Sequence, residues 1–153
     1  MGDSTDSTDT DLAAVRRGFE LFNSGDLETL FREVFDPKIS YRGDPQISAL
    51  AGFPTDAEGV AGVRAVWEGF FAMFDEVQLT EMELSSQGEG TVTGSCRMVA
   101  HGGSSGIPID APFFLAWVLR DGRWAFMAAK LDREEALAAL REWRSAQSSQ
   151  PNE

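Results

Sequence analysis

The sequence predicts an α+β domain in which helices precede, and one helix closes, a run of antiparallel strands. Apolar residues recur at three- and four-residue spacing in the first half, the period turns to strict alternation after Asp75, and a capped amphipathic segment follows the last alternating run. A length of 153 residues with 42% hydrophobic and 25% charged side chains suits one domain able to bury its own core. That domain is expected at residues 10–145, between a disordered acidic segment at 1–9 and a polar tail at 146–153.

The elements follow in order. Thr8 and Asp11 have capping-box spacing, and Leu12, Val15, Phe19 and Phe22 form one helical stripe ended by Asn23-Ser24-Gly25. Asp26 opens a short second helix carrying Leu27, Leu30, Phe31 and Val34, which Asp36-Pro37 stops. Lys38 to Arg42 reads as a strand, and a Gly/Pro/Asp-rich loop runs from Gly43 to Pro54. Thr55 to Glu58 is again capping-box-like and predicts a helix reaching Phe74, with Val63, Val66, Trp67, Phe70 and Phe71 in an aromatic stripe.

Strands are predicted at 77–86, 90–101, 110–120 and 123–131, with turns at Gly88-Glu89-Gly90 and Asp121-Gly122 and a flexible link at Gly102–Gly106. Asp132, three residues before Glu135, caps a last helix bearing Ala136, Leu137, Leu140 and Trp143.

Along Phe113–Leu119 and Trp124–Lys130 both alternating sets are apolar, so both sheet faces are expected to be covered. Helices can cover one face. A second copy in a homodimer is the economical cover for the other, with the 43–54 loop or the last helix as the intramolecular alternative. Val92, Gly94, Cys96, Met98 and Ala100 form a small, soft set on one strand, with Ala116, Ala125 and Ala129 placed beside it. Facing Trp67, Phe70 and Phe71, these leave room for an apolar ligand cavity, unless the aromatics fill the space as ordinary core.

Composition limits the partners. A net charge of −12 disfavours phosphate backbones and anionic lipid, so neither nucleic acid nor a membrane is expected. The start of the chain has no signal-like basic or apolar run, no stretch is apolar enough to span a bilayer, and a single cysteine allows a reducing compartment. A cytoplasmic location is the default expectation. One histidine and one cysteine supply no metal-ligand spacing, and no glycine-rich loop leads into a helix to cradle phosphate, so neither metal nor cofactor is expected.

The segment Phe22-Asn23-Ser24-Gly25-Asp26-Leu27-Glu28 resembles the helix-and-turn that begins SnoaL-like domains of the nuclear transport factor superfamily. Ser105-Gly106-Ile107-Pro108, Leu119-Arg120-Asp121-Gly122-Arg123 and Leu131-Asp132-Arg133-Glu134-Glu135-Ala136-Leu137 are similar to that family's closing hairpin and helix. The resemblance covers residues 12–142 and implies a cone-shaped, barrel-like fold: a curved antiparallel sheet wrapped around helices, with an apolar cavity. Its members include polyketide cyclases, ketosteroid isomerases, limonene-type epoxide hydrolases, polyether-forming enzymes and non-catalytic binding or assembly domains, and architecture does not choose among them.

By this resemblance Asp44-Pro45 matches the general-base aspartate of ketosteroid isomerases. The columns of their oxyanion-binding tyrosine and protonated acid hold Gly18 and Ala116, and the limonene-type triad columns hold Cys96, Met98 and Ala129. Neither set is present.

The candidates are therefore few. Asp44 is the expected base for removing a proton from a carbon next to a carbonyl, against the alternative that Asp-Pro only starts a turn. Tyr41, the only tyrosine, could donate to a developing oxyanion or simply half-bury on its strand. His101, the only histidine, could shuttle a proton, although its parity opposes Cys96 and Met98. Trp67, Phe71, Met98, Phe114 and Met127 are expected to bind substrate. Glu68 with Asp44 would make the carboxylate pair of an epoxide-opening enzyme. Asp110 and Asp132 have structural roles, and Cys96 is read as a buried, inert thiol. The expected function is cofactor-independent acid–base catalysis on a hydrophobic small molecule, by an isomerase or polyketide-type cyclase. Epoxide opening and non-catalytic binding are the alternatives.

Overall fold

The computed structural model describes residues 3–46, 55–102 and 108–149. The elements are α1 (Asp3–Ser24), α2 (Leu27–Thr29) running into a π-helical turn (Leu30–Val34), β1 (Phe35–Arg42) and β2 (Asp56–Glu58). They continue with α3 (Gly59–Met73), β3 (Phe74–Gly88), β4 (Thr91–Gly102), β5 (Ile109–Arg120), β6 (Arg123–Lys130) and α4 (Arg133–Ser149). One curved six-stranded sheet has the order β2-β1-β6-β5-β4-β3 and does not close on itself. All neighbours are antiparallel except β1 and β6, which run parallel, so the sheet is mixed.

Local chemistry explains the helix ends. At the end of α1, Gly25 takes φ +82°, its N–H donates to Phe22 O at 3.1 Å, and the Asp26 N–H donates to Leu21 O at 2.9 Å. This pair of bonds is a Schellman stop, and glycine adopts the left-handed turn without a Cβ penalty. The Asp26 carboxylate then accepts from Thr29 N–H at 3.2 Å, and Asp132 accepts from Glu135 N–H at 3.1 Å, capping α2 and α4 as the spacing predicts.

α1 begins at Asp3 and α4 runs to Ser149. One expectation of local structure is corrected. Asp56–Glu58 is a strand rather than a helix start, because pairing with β1 (Ser40↔Glu58, Arg42↔Asp56) outweighs the capping pattern, and Arg42 holds Glu58 at 2.6 Å. The expected loop at 47–54 and most of the glycine-rich link after Gly102 lie outside the described residues.

The main core lies between the inner sheet face and helices α1, α2 and α3. Two bulges set which side chains point inward. Leu119 pairs with Trp124 and Val118 with Phe126, leaving Ala125 as an extra residue. Trp124 therefore shares the inner face with Met127, against the simple alternation expected for this strand. A second bulge in β3, where Glu81 has φ 55°, keeps both Leu79 and Leu84 packed on the main core. Gly94 opposite Leu84 has no room for a side chain, since a Cβ would stand 2.6 Å from Glu83 O and 2.8 Å from Leu84 Cδ2.

The outer face of β5 and β6 is also apolar, and α4 covers it. Ala116, Phe126, Ala128 and Leu140 form a second cluster, with Trp143 stacked 5.1 Å from Phe126 and donating from Nε1 to Ser40 Oγ at 3.1 Å. This is the intramolecular cover by the last helix that the sequence offers as the alternative to a second copy. Ala116 belongs to this outer layer, not beside the cavity. No helix among the described residues is long and apolar enough to cross a membrane.

Candidate functional site

Between the inner sheet face and helices α1 and α3 the structure holds a cavity of about 70 Å³. Its walls come from the elements whose patterns predict them. α1 contributes Phe19 and Phe22; α3 contributes Val66, Trp67, Phe70 and Phe71; the inner sets of β3 to β6 supply the floor. Most lining residues are fully buried, while Tyr41, Phe71 and Leu79 keep partial exposure. A cavity of about 150 Å³ is what encloses a benzene ring, so a ligand of that size requires these rings to move. Rotation is easiest for Phe71, the least enclosed of the aromatics on α3.

Tyr41 and Asp44 stand at the end of β1. Tyr41 packs edge-on against Trp67, with ring centroids 6.0 Å apart. Burial pushes its hydroxyl well above the usual phenol range, the hydrogen bond with Trp67 opposes this, and the charges of Asp56 and Asp44 add to the rise. The group therefore stays protonated and able to donate. Gly43 permits this placement, since a Cβ there would lie 3.0 Å from the tyrosine ring and 2.8 Å from Thr55 O.

Asp44 is only 4% exposed and borders the cavity. Its Oδ1 accepts from Gln46 N–H at 2.8 Å and its Oδ2 from Leu131 N–H at 2.9 Å. The same junction is tied by Lys130 Nζ, which donates to Gly43 O at 2.6 Å. Asp44 thus joins the exits of two parallel strands, β1 and β6, and its carboxylate is held in one orientation.

Trp67, Phe71, Met98 and Met127 line the cavity. Phe114 does not: it lies on the opposite face of β5, with the Arg133 guanidinium 5.0 Å from its ring, and its neighbour Phe113 takes the inner position. Parity along the strand separates the two, and the match of Phe113 to Cys96 across the sheet was the available signal. His101 is exposed, opposite Glu76 on the outer set of β4, and is not among the lining residues. Glu68 is exposed and bound to Arg64 at 2.8 Å, which leaves Asp44 as the only carboxylate among the described lining residues. Asp110 is exposed and bonds Arg97 at 2.6 Å. Cys96 is buried, and burial pushes its thiol up to about 12. Among the described residues no group of His, Cys, Asp and Glu converges to hold a metal ion.

Sequence reasoning missed Trp124, Leu79 and the role of Asn23. Asn23 appeared only as part of a helix stop, yet its side chain pairs both backbone groups of Leu79, donating to O and accepting from N–H at 2.9 Å each. It fixes edge strand β3 against α1 beside the cavity opening.

A curved sheet folded over helices around an apolar cavity, with a buried acid among its lining residues, defines an α+β protein of the cone type. The profile of the SnoaL-like domain family matches residues 15–127, and the chain belongs to that family. Solved structures agree in fold. TerC, crystallized with polyporic acid, is 19% identical with a TM-score of 0.68, over 87% of this chain and 96% of its own. IdmH, a candidate polyketide cyclase from Streptomyces antibioticus, is 23% identical with a TM-score of 0.64, over 86% and 98%. A candidate isomerase from Bacillus subtilis is 18% identical with a TM-score of 0.67, over 85% and 94%. No curated protein matches the sequence.

Proposed function

We propose that this protein is a cofactor-independent isomerase or cyclase that moves a proton on a carbonyl-bearing hydrophobic molecule. The observation that carries the reading is the pairing of Tyr41 and Asp44 at one margin of an otherwise apolar cavity. Asp44 is the base that removes a proton from the carbon next to the carbonyl, and the Tyr41 hydroxyl donates to the oxyanion that develops. The apolar walls exclude water and strengthen both interactions. Membership of the SnoaL-like family, and neighbours described as polyketide cyclase and isomerase, support the same class of chemistry.

The test uses β-tetralone, a small bicyclic ketone with an acidic carbon beside its carbonyl. Wild-type protein in heavy water should accelerate deuterium uptake at that carbon. Asp44→Asn, checked for an unchanged circular dichroism spectrum, should lower the rate at least about a hundredfold. Tight binding without exchange would replace this reading with that of a non-catalytic binding module.

A further inference from the structure

The chain leaving β1 at Gly43 and Asp44 is anchored by four hydrogen bonds. Gly43 N–H donates to Thr55 O at 2.8 Å, and Gly43 O accepts from Lys130 Nζ at 2.6 Å. Asp44 Oδ1 and Oδ2 accept from the amides of Gln46 and Leu131 at 2.8 and 2.9 Å. Two of these ties use the Asp44 carboxylate and a third joins two backbone groups. Lys130 supplies the one side chain among them other than that of Asp44 itself.

Lys130 acts from behind the cavity wall. It pairs with Phe114 on the outer set of β5 and β6, and neither residue is among those lining the cavity, whereas Gly43 and Asp44 both are. Its ammonium reaches across the seam where β1 and β6 run parallel, just beyond the pairing of Arg42 with Ala128. The side chain is half-buried and enters no ion pair among the described residues. A bond from an ammonium to a carbonyl is charge-assisted, and so stronger than one between neutral groups.

Gly43 adjoins both proposed reacting groups. Asp44 follows it in the chain, and a Cβ on Gly43 would stand 3.0 Å from the Tyr41 ring and 3.2 Å from its hydroxyl. Displacing the Gly43 carbonyl therefore moves Asp44 relative to Tyr41 while the apolar walls stay in place. A misplacement of about 1 Å is enough to cost about a hundredfold in rate.

We infer that Lys130 is a positioning residue: from outside the cavity it holds Gly43 so that Asp44 and Tyr41 keep one mutual placement inside. The inference rests on the proposed function for the identity of the reacting groups.

The test follows deuterium uptake into β-tetralone and backbone amide exchange in two variants. Lys130→Met keeps the aliphatic stem, and Lys130→Arg keeps a cationic donor. In Lys130→Met, kcat should fall at least about tenfold at unchanged KM. The Leu131 amide should exchange at least about tenfold faster while amides within β6 keep their protection. Lys130→Arg should restore both. An unchanged kcat, a change confined to KM, or protection lost throughout β6 overturns the inference. Lys38 and Lys130 are the only lysines, so wild-type protein offers a check that needs no variant. Limiting acetic anhydride should acetylate the exposed Lys38 at least about tenfold faster than the bonded Lys130, and equal labelling overturns the inference too. If wild-type protein exchanges no deuterium, the proposed function falls, while the amide and acetylation results still decide whether Lys130 holds Gly43. Exchange that is indifferent to Lys130 removes only the inference.

Discussion

A methyl group added to Gly18 would lie 2.7 Å from Cη2 of Trp124 and closer still to Cζ2, so the backbone of α1 rests directly on the indole. The position that the family resemblance aligns with a catalytic tyrosine is here a contact surface for a tryptophan on β6. That contact brings α1 onto the sheet at the depth where Phe19 and Phe22 line the cavity.

Gly18→Ala should therefore destabilise the protein despite alanine's better helix propensity, worth up to about 1 kcal/mol. Overpacking against a fixed ring costs about 1–3 kcal/mol, and each kcal/mol lowers the melting temperature by roughly 2–4 °C in a chain of this size. Gly69→Ala in α3, with nothing within 4 Å of its added methyl, should raise the melting temperature or leave it unchanged. Calorimetry of the two variants measures the contrast, and equal stability would show that the indole has room to yield.

Asp44→Ala removes the acceptor for the amides of Gln46 and Leu131. Leaving such donors unpaired costs about 1–3 kcal/mol, so this variant should be less stable than Asp44→Asn, which keeps one carbonyl oxygen. Urea unfolding midpoints at constant slope provide the comparison.

Tyr41 is the only tyrosine, so phenolate absorbance reports it alone. In the native protein it should titrate well above the ordinary value of 10.0, because burial disfavours the phenolate. The sign for stability follows. The unfolded chain releases this proton near pH 10 while the native state keeps it, so stability falls as pH rises beyond that point. A native titration at the ordinary value would place the hydroxyl in water and end its role as a buried donor.

Cys96, with its thiol pushed up to about 12, should react slowly with iodoacetamide at neutral pH in the folded protein and rapidly once denatured. Mass spectrometry of labelled protein gives both rates. Rapid native labelling would mean that the cavity floor is open to solvent.

The helix stop at Gly25, the capped starts at Asp26 and Asp132, the Asp121-Gly122 turn and the inner set of β4 were legible in the residues, because each depends on neighbours within a few positions. Trp124 was not, since one extra residue at Ala125 reverses parity, and a bulge depends on the partner strand rather than on its own composition. Phe114 packs under Arg133 and His101 is exposed, so neither lines the cavity; with both alternating sets of β5 apolar, parity alone did not say which set faces inward.

The sequence by itself determined most of the helical and extended segments, which side chains are apolar enough to be buried, and that one acid and one tyrosine lie at the end of the first strand. Only the tertiary structure decided that β1 lies parallel to β6, that α4 packs on the outer face of β5 and β6, and that Asp44 is clamped by Leu131. The reason is one of range: periodicity and caps follow from bonds between near neighbours, whereas strand order, bulges and burial of a particular carboxylate depend on contacts that exist only after distant segments have packed.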